Sequence, residues 1–120
     1  VHRGHVALIQ AARCAVGTSG NVIVMSFDPH PITVLKPDVA PRRLSTFDQR
    51  IGWLKAAGAD EVVRLTPTRE FLSQSPEQFI AAIVAQHKPQ FIVEGADFHF
   101  GKGRVGSVRT LRALEAQHGY

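Results

Sequence analysis

The chain has 120 residues, which limits it to one domain of about the commonest size. Its composition, 44% hydrophobic and 20% charged residues, argues against intrinsic disorder. The single cysteine, Cys14, excludes an internal disulfide, and no apolar run reaches transmembrane length. A net charge of +4 favours anionic ligands, but the basic residues are scattered, without interleaved aromatic residues. We therefore expect a cytoplasmic protein that binds a small phosphorylated ligand, not nucleic acid or a membrane.

The first half of the chain alternates helical and strand-like patterns. Apolar residues recur at helical spacing up to the Gly17–Gly20 segment, which ends the predicted helix. Residues 21–27 form a short apolar run, typical of a parallel strand buried on both faces. The proline-rich residues 28–45 predict a long loop, of the kind that often binds ligands. A second helix, begun at Ser45–Thr46 and ended at Gly58, precedes a strand at 61–65.

The second half repeats this alternation. A short helical turn is expected within 68–74, and the Ser75–Pro76 pair begins a third helix. Residues 90–94 predict a third strand, and a glycine-rich loop from Gly95 to Gly106 leads into a last helix that ends at Gly119. Strands that alternate with helices indicate a layered α/β fold with a parallel sheet.

Two histidines and a glycine at the start of the first helix form the most informative motif. His2 and His5 stand three positions apart, so both rings would lie on one face of the first helical turn. Gly4 would let the main chain approach a ligand closely. Together with the positive end of the helix dipole, this arrangement is suited to a polyphosphate.

Two further segments follow directly from predicted strands. Asp28–Pro31 comes after the first strand, and the Gly95–Gly106 loop comes after the third. Ligands of parallel α/β sheets bind beyond the carboxyl ends of the strands. We therefore expect these two segments and the histidine motif to meet at one edge of the sheet.

Three stretches resemble the adenylyltransferase module of bacterial bifunctional riboflavin kinase/FAD synthetases. They are Val1-His-Arg-Gly-His5, Ser26-Phe-Asp-Pro-His-Pro31 and the G-x-D-F-x-F-G run in Gly95–Gly106. Leu44–Gly58 and Ser75–Phe79 are also similar, so the resemblance covers the whole chain. H-x-G-H alone is shared by many nucleotidyltransferases, whereas the other two motifs are more specific to the flavin branch. The resemblance implies an α/β, Rossmann-like nucleotidyltransferase fold of the adenine nucleotide alpha-hydrolase type, with three layers around a parallel sheet.

The resemblance also implies a reaction and a set of site residues. FMN would attack the α-phosphorus of ATP, with Mg²⁺, to give FAD and pyrophosphate. The catalytic residues would be His2 and His5, holding the ATP phosphates through ring N–H groups; neither would act as a base, because the attacking phosphate is already anionic. The implied ATP-binding residues are His2, Gly4, His5 and Asp97, the flavin-binding residues are Pro29, His30, Pro31 and Phe100, and no residue is expected to bind a metal.

Several departures from the family pattern bear on what the chain can do alone. The strand with a G-x-F-D-G-type turn before H-x-G-H, the later serine-rich stretch ending in arginine, and the riboflavin kinase domain are absent. We expect residues 1–120 to be a partial FMN adenylyltransferase domain, inactive by itself, lacking its first strand and C-terminal part. In the family that strand lies between 21–27 and 90–94, so these two segments should not pair. Glu94 replaces an apolar residue of the family.

Other functions remain open from the sequence. The chain would also suit another adenylyltransferase of the H-x-G-H superfamily, acting on pantetheine phosphate or a nicotinate nucleotide, although the flavin-type motifs argue against it. A non-catalytic nucleotide-binding fragment is a further alternative, opposed by the retention of His2, His5 and Asp97. The six histidines prompt a metal-dependent phosphoesterase, but their spacing lacks a second H-x-H or a carboxylate cluster.

Overall fold

A computed structural model describes all 120 residues, which divide into two compact units, Val1–Arg69 and Glu70–Tyr120. The helices are α1 Arg3–Val16, α2 Ile32–Leu35, α3 Phe47–Ala56, α4 Arg69–Leu72, α5 Pro76–His87 and α6 Val108–His118, with 3₁₀ turns at Pro37–Val39 and Lys102–Arg104. The strands are β1 Ile23–Phe27, β2 Glu61–Leu65, β3 His99–Phe100 and β4 Gly106–Ser107. No helix combines the length and the apolar character needed to cross a bilayer.

The first unit is built on a two-stranded parallel sheet. β1 and β2 pair in register from Ile23 opposite Glu61 to Phe27 opposite Leu65. The core of this unit consists of the buried side chains Ile9, Val22, Leu54 and Ala59. Helices α1 and α3 each contribute one apolar residue to it, as their spacing predicts. The predicted parallel sheet is thus confirmed for β1 and β2.

Arg13, on α1, ties together the amino-terminal ends of the two strands. Its guanidinium donates to the carbonyl oxygen of Gly20 at 2.7 Å and forms an ion pair with Asp60. The same carboxylate accepts the N–H of Val22 at 2.7 Å. These contacts lower the pKa of Asp60, chiefly through the Val22 N–H and then through Arg13. One polar network therefore links the amino-terminal ends of β1 and β2, at the opposite end of the sheet from Phe27.

The second unit packs α5 and α6 against a short hairpin. β3 and β4 are antiparallel, and the buried residues are Ile80, Phe100, Leu111 and Leu114. The hairpin turn needs a glycine at Gly101, whose φ is 74°. A Cβ there would lie 2.7 Å from Cγ of Pro76, so a larger residue would force the hairpin away from α5.

The predicted helix starts are confirmed in both units. The Thr46 hydroxyl accepts the N–H of Gln49 at 3.2 Å, and the Ser75 hydroxyl accepts the N–H of Gln78 at 3.2 Å. In each case Oε1 of the glutamine accepts the N–H of the cap residue at 2.9 Å, which completes a capping box.

Two sequence predictions about elements are wrong. Residues 90–94 form no strand: a strand needs a neighbour for its main-chain hydrogen bonds, and this segment pairs with no other strand. The segment 28–45, predicted as a loop, contains α2, which begins after Pro31 with helical φ and ψ of −52° and −32°. Four residues are too few to show helical periodicity, which is why the sequence did not reveal it.

Candidate functional site

The two histidines of the first turn are held by hydrogen bonds from the main chain. Nδ1 of His2 accepts the N–H of Gly4 at 3.1 Å, and Nδ1 of His5 accepts the N–H of His2 at 3.2 Å. A neutral imidazole that accepts at Nδ1 carries its proton on Nε2. The two ring centroids are 3.9 Å apart with a tilt of 36°. The structure therefore presents two neighbouring Nε2–H donors at the start of α1.

Gly4 makes room for this arrangement. A Cβ at residue 4 would lie 2.9 Å from Cε1 and 3.1 Å from Nδ1 of His2. Its N–H is already bonded to that ring, and the N–H of His5 donates to the carbonyl oxygen of His2 at 3.0 Å. The imidazoles, rather than these two amides, are thus the donors left for a ligand. This role for the glycine differs from the close main-chain approach expected from the sequence.

His5 is kept neutral by its surroundings. Partial burial lowers its pKa from the ordinary value of 6.5, and the neighbouring His2 lowers it further, with a smaller contribution from Arg50. A neutral ring at pH 7 preserves the acceptor at Nδ1 and the donor at Nε2. The pair is exposed to solvent, so a ligand has access to both rings.

Asp28 lies at the carboxyl ends of both strands. Its N–H donates to the carbonyl oxygen of Leu65 at 3.0 Å, and its side chain is only 10% exposed. Oδ1 lies 3.2 Å from Nη2 of Arg43, and Oδ2 lies 3.8 Å from Nη1 of Arg64. The geometry at Oδ1 meets the distance for an ion pair but not the alignment of a hydrogen bond. Charge, rather than directed bonding, holds these groups together.

The ring of Phe47 packs against two arginines, Arg50 and Arg64, near the carboxyl ends of β1 and β2. The Cζ atoms of Arg64 and Arg50 lie 4.2 and 5.7 Å from the centroid of its ring. Nη1 of Arg50 donates to Ser26 Oγ at 3.0 Å and to the Phe27 carbonyl oxygen at 2.7 Å. The sequence reasoning missed Arg50 and Arg64, because their partners are distant in the chain. The signal available was Arg64 itself, a cation within an otherwise largely apolar strand.

The predicted flavin-binding segment forms the turn into α2. Nδ1 of His30 accepts the N–H of Ile32 at 3.2 Å, and its carbonyl oxygen accepts the hydroxyl of Thr33. Pro29 and Pro31, on either side of His30, are half-buried, and the Asp28–Pro29 peptide bond is cis. The segment directly follows β1, as predicted.

Asp97 and Phe100, predicted to contact ligands, belong to the second unit. Asp97 is exposed, and its carbonyl oxygen accepts Nδ1–H of His99 at 2.8 Å. The side chain of Phe100 is 7% exposed and lies in the core of this unit, and its contact with a ligand stays a prediction. Alternation along a strand does not hold here: β3 is two residues long, and the rings of Phe98 and Phe100 stack 5.3 Å apart at 13°.

Glu94 lies in a cleft that the sequence did not predict. A cavity of about 290 Å³ lies between residues 91–94 and α6, lined in part by Ile92 and Leu111. Glu94 is an exposed residue, but partial desolvation of its carboxyl group in the cleft raises its pKa to about 7, against a smaller opposing effect of the Gly95 N–H. Its neighbours in the cleft include the cation Arg112.

The predicted site residues are divided between the two units. His2, His5 and the Pro29–Pro31 turn lie in the first, whereas Asp97 and Phe100 lie in the second. Their convergence at one edge of a sheet stays a prediction.

A family model described as FAD synthetase matches residues 1–120, the whole chain. The chain belongs to the FAD synthetase family. It is 33% identical over 123 residues to a bifunctional riboflavin kinase/FMN adenylyltransferase of Escherichia coli, covering 100% of this chain and 39% of the relative. An FAD synthetase of Listeria monocytogenes is 29% identical over 115 residues, covering 95% of this chain and 47% of that protein.

This FAD synthetase family member also resembles a longer enzyme from Bacillus subtilis and one solved structure. The Bacillus subtilis bifunctional riboflavin kinase/FMN adenylyltransferase is 33% identical over 113 residues, covering 92% of this chain and 36% of the relative. The chain thus spans between 36% and 47% of the length of these three curated relatives. A crystal structure described as a macrolide-efflux protein from Streptococcus pneumoniae superposes with a TM-score of 0.81 over 94% of this chain and 44% of its own length. At 24% identity that likeness shows the fold alone.

Proposed function

We propose that the chain is the part of an FAD synthetase that transfers AMP from ATP to FMN. The observation that carries this proposal is the pair of Nε2–H donors of His2 and His5 on the first turn of α1, in a chain that matches the family throughout. Paired donors on a helix start are suited to the phosphates of ATP.

In this reaction a phosphate oxygen of FMN attacks the α-phosphorus of ATP. The bond from that phosphorus to the bridging oxygen breaks, and pyrophosphate leaves with the electron pair, so FAD and pyrophosphate are the products. The attacking phosphate is already anionic, so the protein needs to supply neither a nucleophile nor a base. His2 and His5 hold the phosphates as negative charge builds, because their Nε2–H groups are positioned before the substrate arrives.

Mg²⁺ would arrive with ATP. No group of three or more His, Cys, Asp or Glu side chains lies together to hold a metal ion. Magnesium in such sites is usually held by substrate phosphates and a few carboxylates rather than by a protein cage, and it supplies charge neutralisation. In this proposal His2 and His5 bind the phosphates of ATP.

We assign the remaining contacts by the segments that the family shares. Pro29, His30 and Pro31 would line the flavin side, and Asp97 would contact the nucleotide. The relatives named as bifunctional support a longer protein with a riboflavin kinase domain, in which FMN would be made and then adenylylated. A cytoplasmic location and the absence of nucleic-acid and membrane partners stay predictions.

The test is the acceptor specificity of the full-length protein that contains these residues. With ATP and Mg²⁺, we expect FMN to be converted to FAD with one pyrophosphate released per FAD, measured by chromatography and a pyrophosphate assay. Phosphopantetheine and nicotinate mononucleotide should accept no AMP. Transfer to either of these, without transfer to FMN, would overturn the flavin assignment. Binding of MgATP without turnover of any acceptor would instead identify a non-catalytic module.

A further inference from the structure

An excess of positive charge lies at the carboxyl ends of β1 and β2. Arg43 and Arg64 lie 3.2 and 3.8 Å from the carboxylate of Asp28, and Arg50 donates to the carbonyl oxygen of the preceding residue, Phe27. One carboxylate neutralises one of these three cations. The remaining charge has no partner in the protein, which makes this end of the first unit attractive to an anion.

Arg50 and Arg64, which pack against Phe47, retain N–H donors that could bond to a ligand. Arg50 makes both of its bonds, to Ser26 and to the Phe27 carbonyl, through Nη1. Arg64 comes no closer than 3.8 Å to Asp28, too far for a hydrogen bond, and its side chain is 51% exposed. The remaining N–H groups of each guanidinium are arranged as a planar fork that suits two oxygens of one phosphate.

Contacts with neighbouring residues hold the guanidinium groups of Arg50 and Arg64 in position. Phe47 is 5% exposed, so the ring on which the guanidiniums rest is itself held in place. Arg64 lies opposite Ser26 in the β1–β2 register, and Ser26 is the residue that anchors Arg50. The side chains of Arg50, on α3, and Arg64, on β2, thus meet at the Phe47 ring and are positioned before any ligand binds.

We propose that Arg64 and Arg50, supported by Phe47, bind the phosphate group of the acceptor FMN. This inference rests on the proposed function and adds the residues that recognise the acceptor's phosphate. Asp28 immediately precedes Pro29–Pro31, the segment assigned to the flavin side, so an acceptor that lies along this turn brings its phosphate to the arginines. The charge of Arg50 also makes a small contribution to lowering the pKa of His5, so Arg50 lies within electrostatic range of that histidine.

The consequence is discrimination between FMN and flavins without phosphate. A flavin lacking the phosphate leaves the two guanidinium groups without their ligand and lacks the phosphate oxygen that attacks ATP in the proposed reaction. The arginines would therefore raise the affinity for FMN alone, and leave the affinity for ATP unchanged.

The experiment measures FAD synthesis by the full-length protein with Arg64→Gln and Arg50→Gln. We expect the KM for FMN to rise roughly ten- to hundredfold, as for loss of hydrogen bonds to a charged group. In Arg64→Gln, the KM for ATP and the inhibition constant of lumiflavin, a flavin that carries no phosphate and cannot be phosphorylated, should stay within about twofold, a difference well under 1 kcal/mol. Arg64→Lys, which keeps the charge, should recover part of the loss.

Arg13→Gln is the matched control. It removes an arginine from the other end of the same two strands, so it should lower the melting temperature without changing the KM for FMN. An unchanged KM for FMN in Arg64→Gln, an equal loss of lumiflavin binding, or a loss confined to ATP would overturn the proposal. Wild-type protein that makes no FAD would overturn the proposed function itself, whereas active wild type with an unaffected Arg64→Gln would overturn only the phosphate site.

Discussion

The ring of His2 fills the space beside Gly4: a Cβ at residue 4 would lie 2.9 Å from Cε1 of His2. The glycine of the motif is thereby explained by a contact within the protein. It lets the first histidine fold back over the start of α1 and accept the N–H of residue 4.

Gly4→Ala should therefore lower activity without lowering stability. Alanine is a better helix former than glycine by about 1 kcal/mol, so the helix itself tolerates the change. The added methyl group displaces the His2 ring, and we expect adenylyl transfer to fall at least tenfold, measured as kcat/KM for ATP. Gly52→Ala is the matched control, since a Cβ at that position in α3 meets nothing within 4 Å. Equal activities of the two variants would contradict this role for Gly4.

His5→Ala should reduce adenylyl transfer by roughly a hundredfold or more, the cost of losing a preorganised donor to developing charge. The loss should appear in kcat more than in the KM for FMN, because the donor acts on the ATP phosphates. His118→Ala, a histidine in the last turn of α6, should behave as wild type. Near wild-type kinetics of His5→Ala would remove His5 from the catalytic residues.

Stability should depend on pH through His5. Its pKa is lowered in the folded protein, so the unfolded chain binds the proton more readily. The stabilisation by the neutral ring is fully present above the ordinary value of 6.5 and is lost as the pH falls below it toward the folded pKa. Melting temperatures of wild type and His5→Gln, measured from pH 8 to pH 5, should converge at the acidic end. Parallel curves would show that His5 does not titrate in this way.

Glu94 should make stability depend on pH in the opposite direction to His5. Burial raises its pKa to about 7, so the folded protein holds the proton more tightly than the unfolded chain. The contribution of Glu94 to the free energy of unfolding is then fully present below pH 4.5, the ordinary pKa, and is lost as the pH rises through about 7. Glu94→Gln and Glu94→Val should therefore raise the melting temperature at pH 8 and change it little at pH 4.5. A gain that is the same at both pH values would point to packing alone.

The sequence predicts most of the first unit because its signals are local. The cap at Thr46, the helix of residues 3–16 and the strands near 21–27 and 61–65 each depend on short-range patterns that the structure confirms, and the cap at Ser75 in the second unit does so too. The pairing of the two histidines also follows from their spacing.

What the sequence could not predict depends on partners distant in the chain. Residues 90–94 have the composition of a strand, but a strand exists only where another one accepts its hydrogen bonds. Phe100 was placed toward a ligand by alternation, whereas the two-residue strand and the Phe98 stack turn its ring into the core. The arginine cluster joins residues 43, 50 and 64, which no spacing rule connects.

The network centred on Arg13 and Asp60 has a consequence for protein engineering. It secures the amino-terminal end of the β1–β2 pair, while Asp28, Arg50 and Arg64 stand at the carboxyl end of the same strands. With the proposed phosphate site, substrate selection and folding would depend on opposite ends of one short sheet. Libraries that vary the carboxyl end to accept other phosphorylated flavins would leave the folding network intact, and those that vary the amino-terminal end would change thermal tolerance without altering the acceptor.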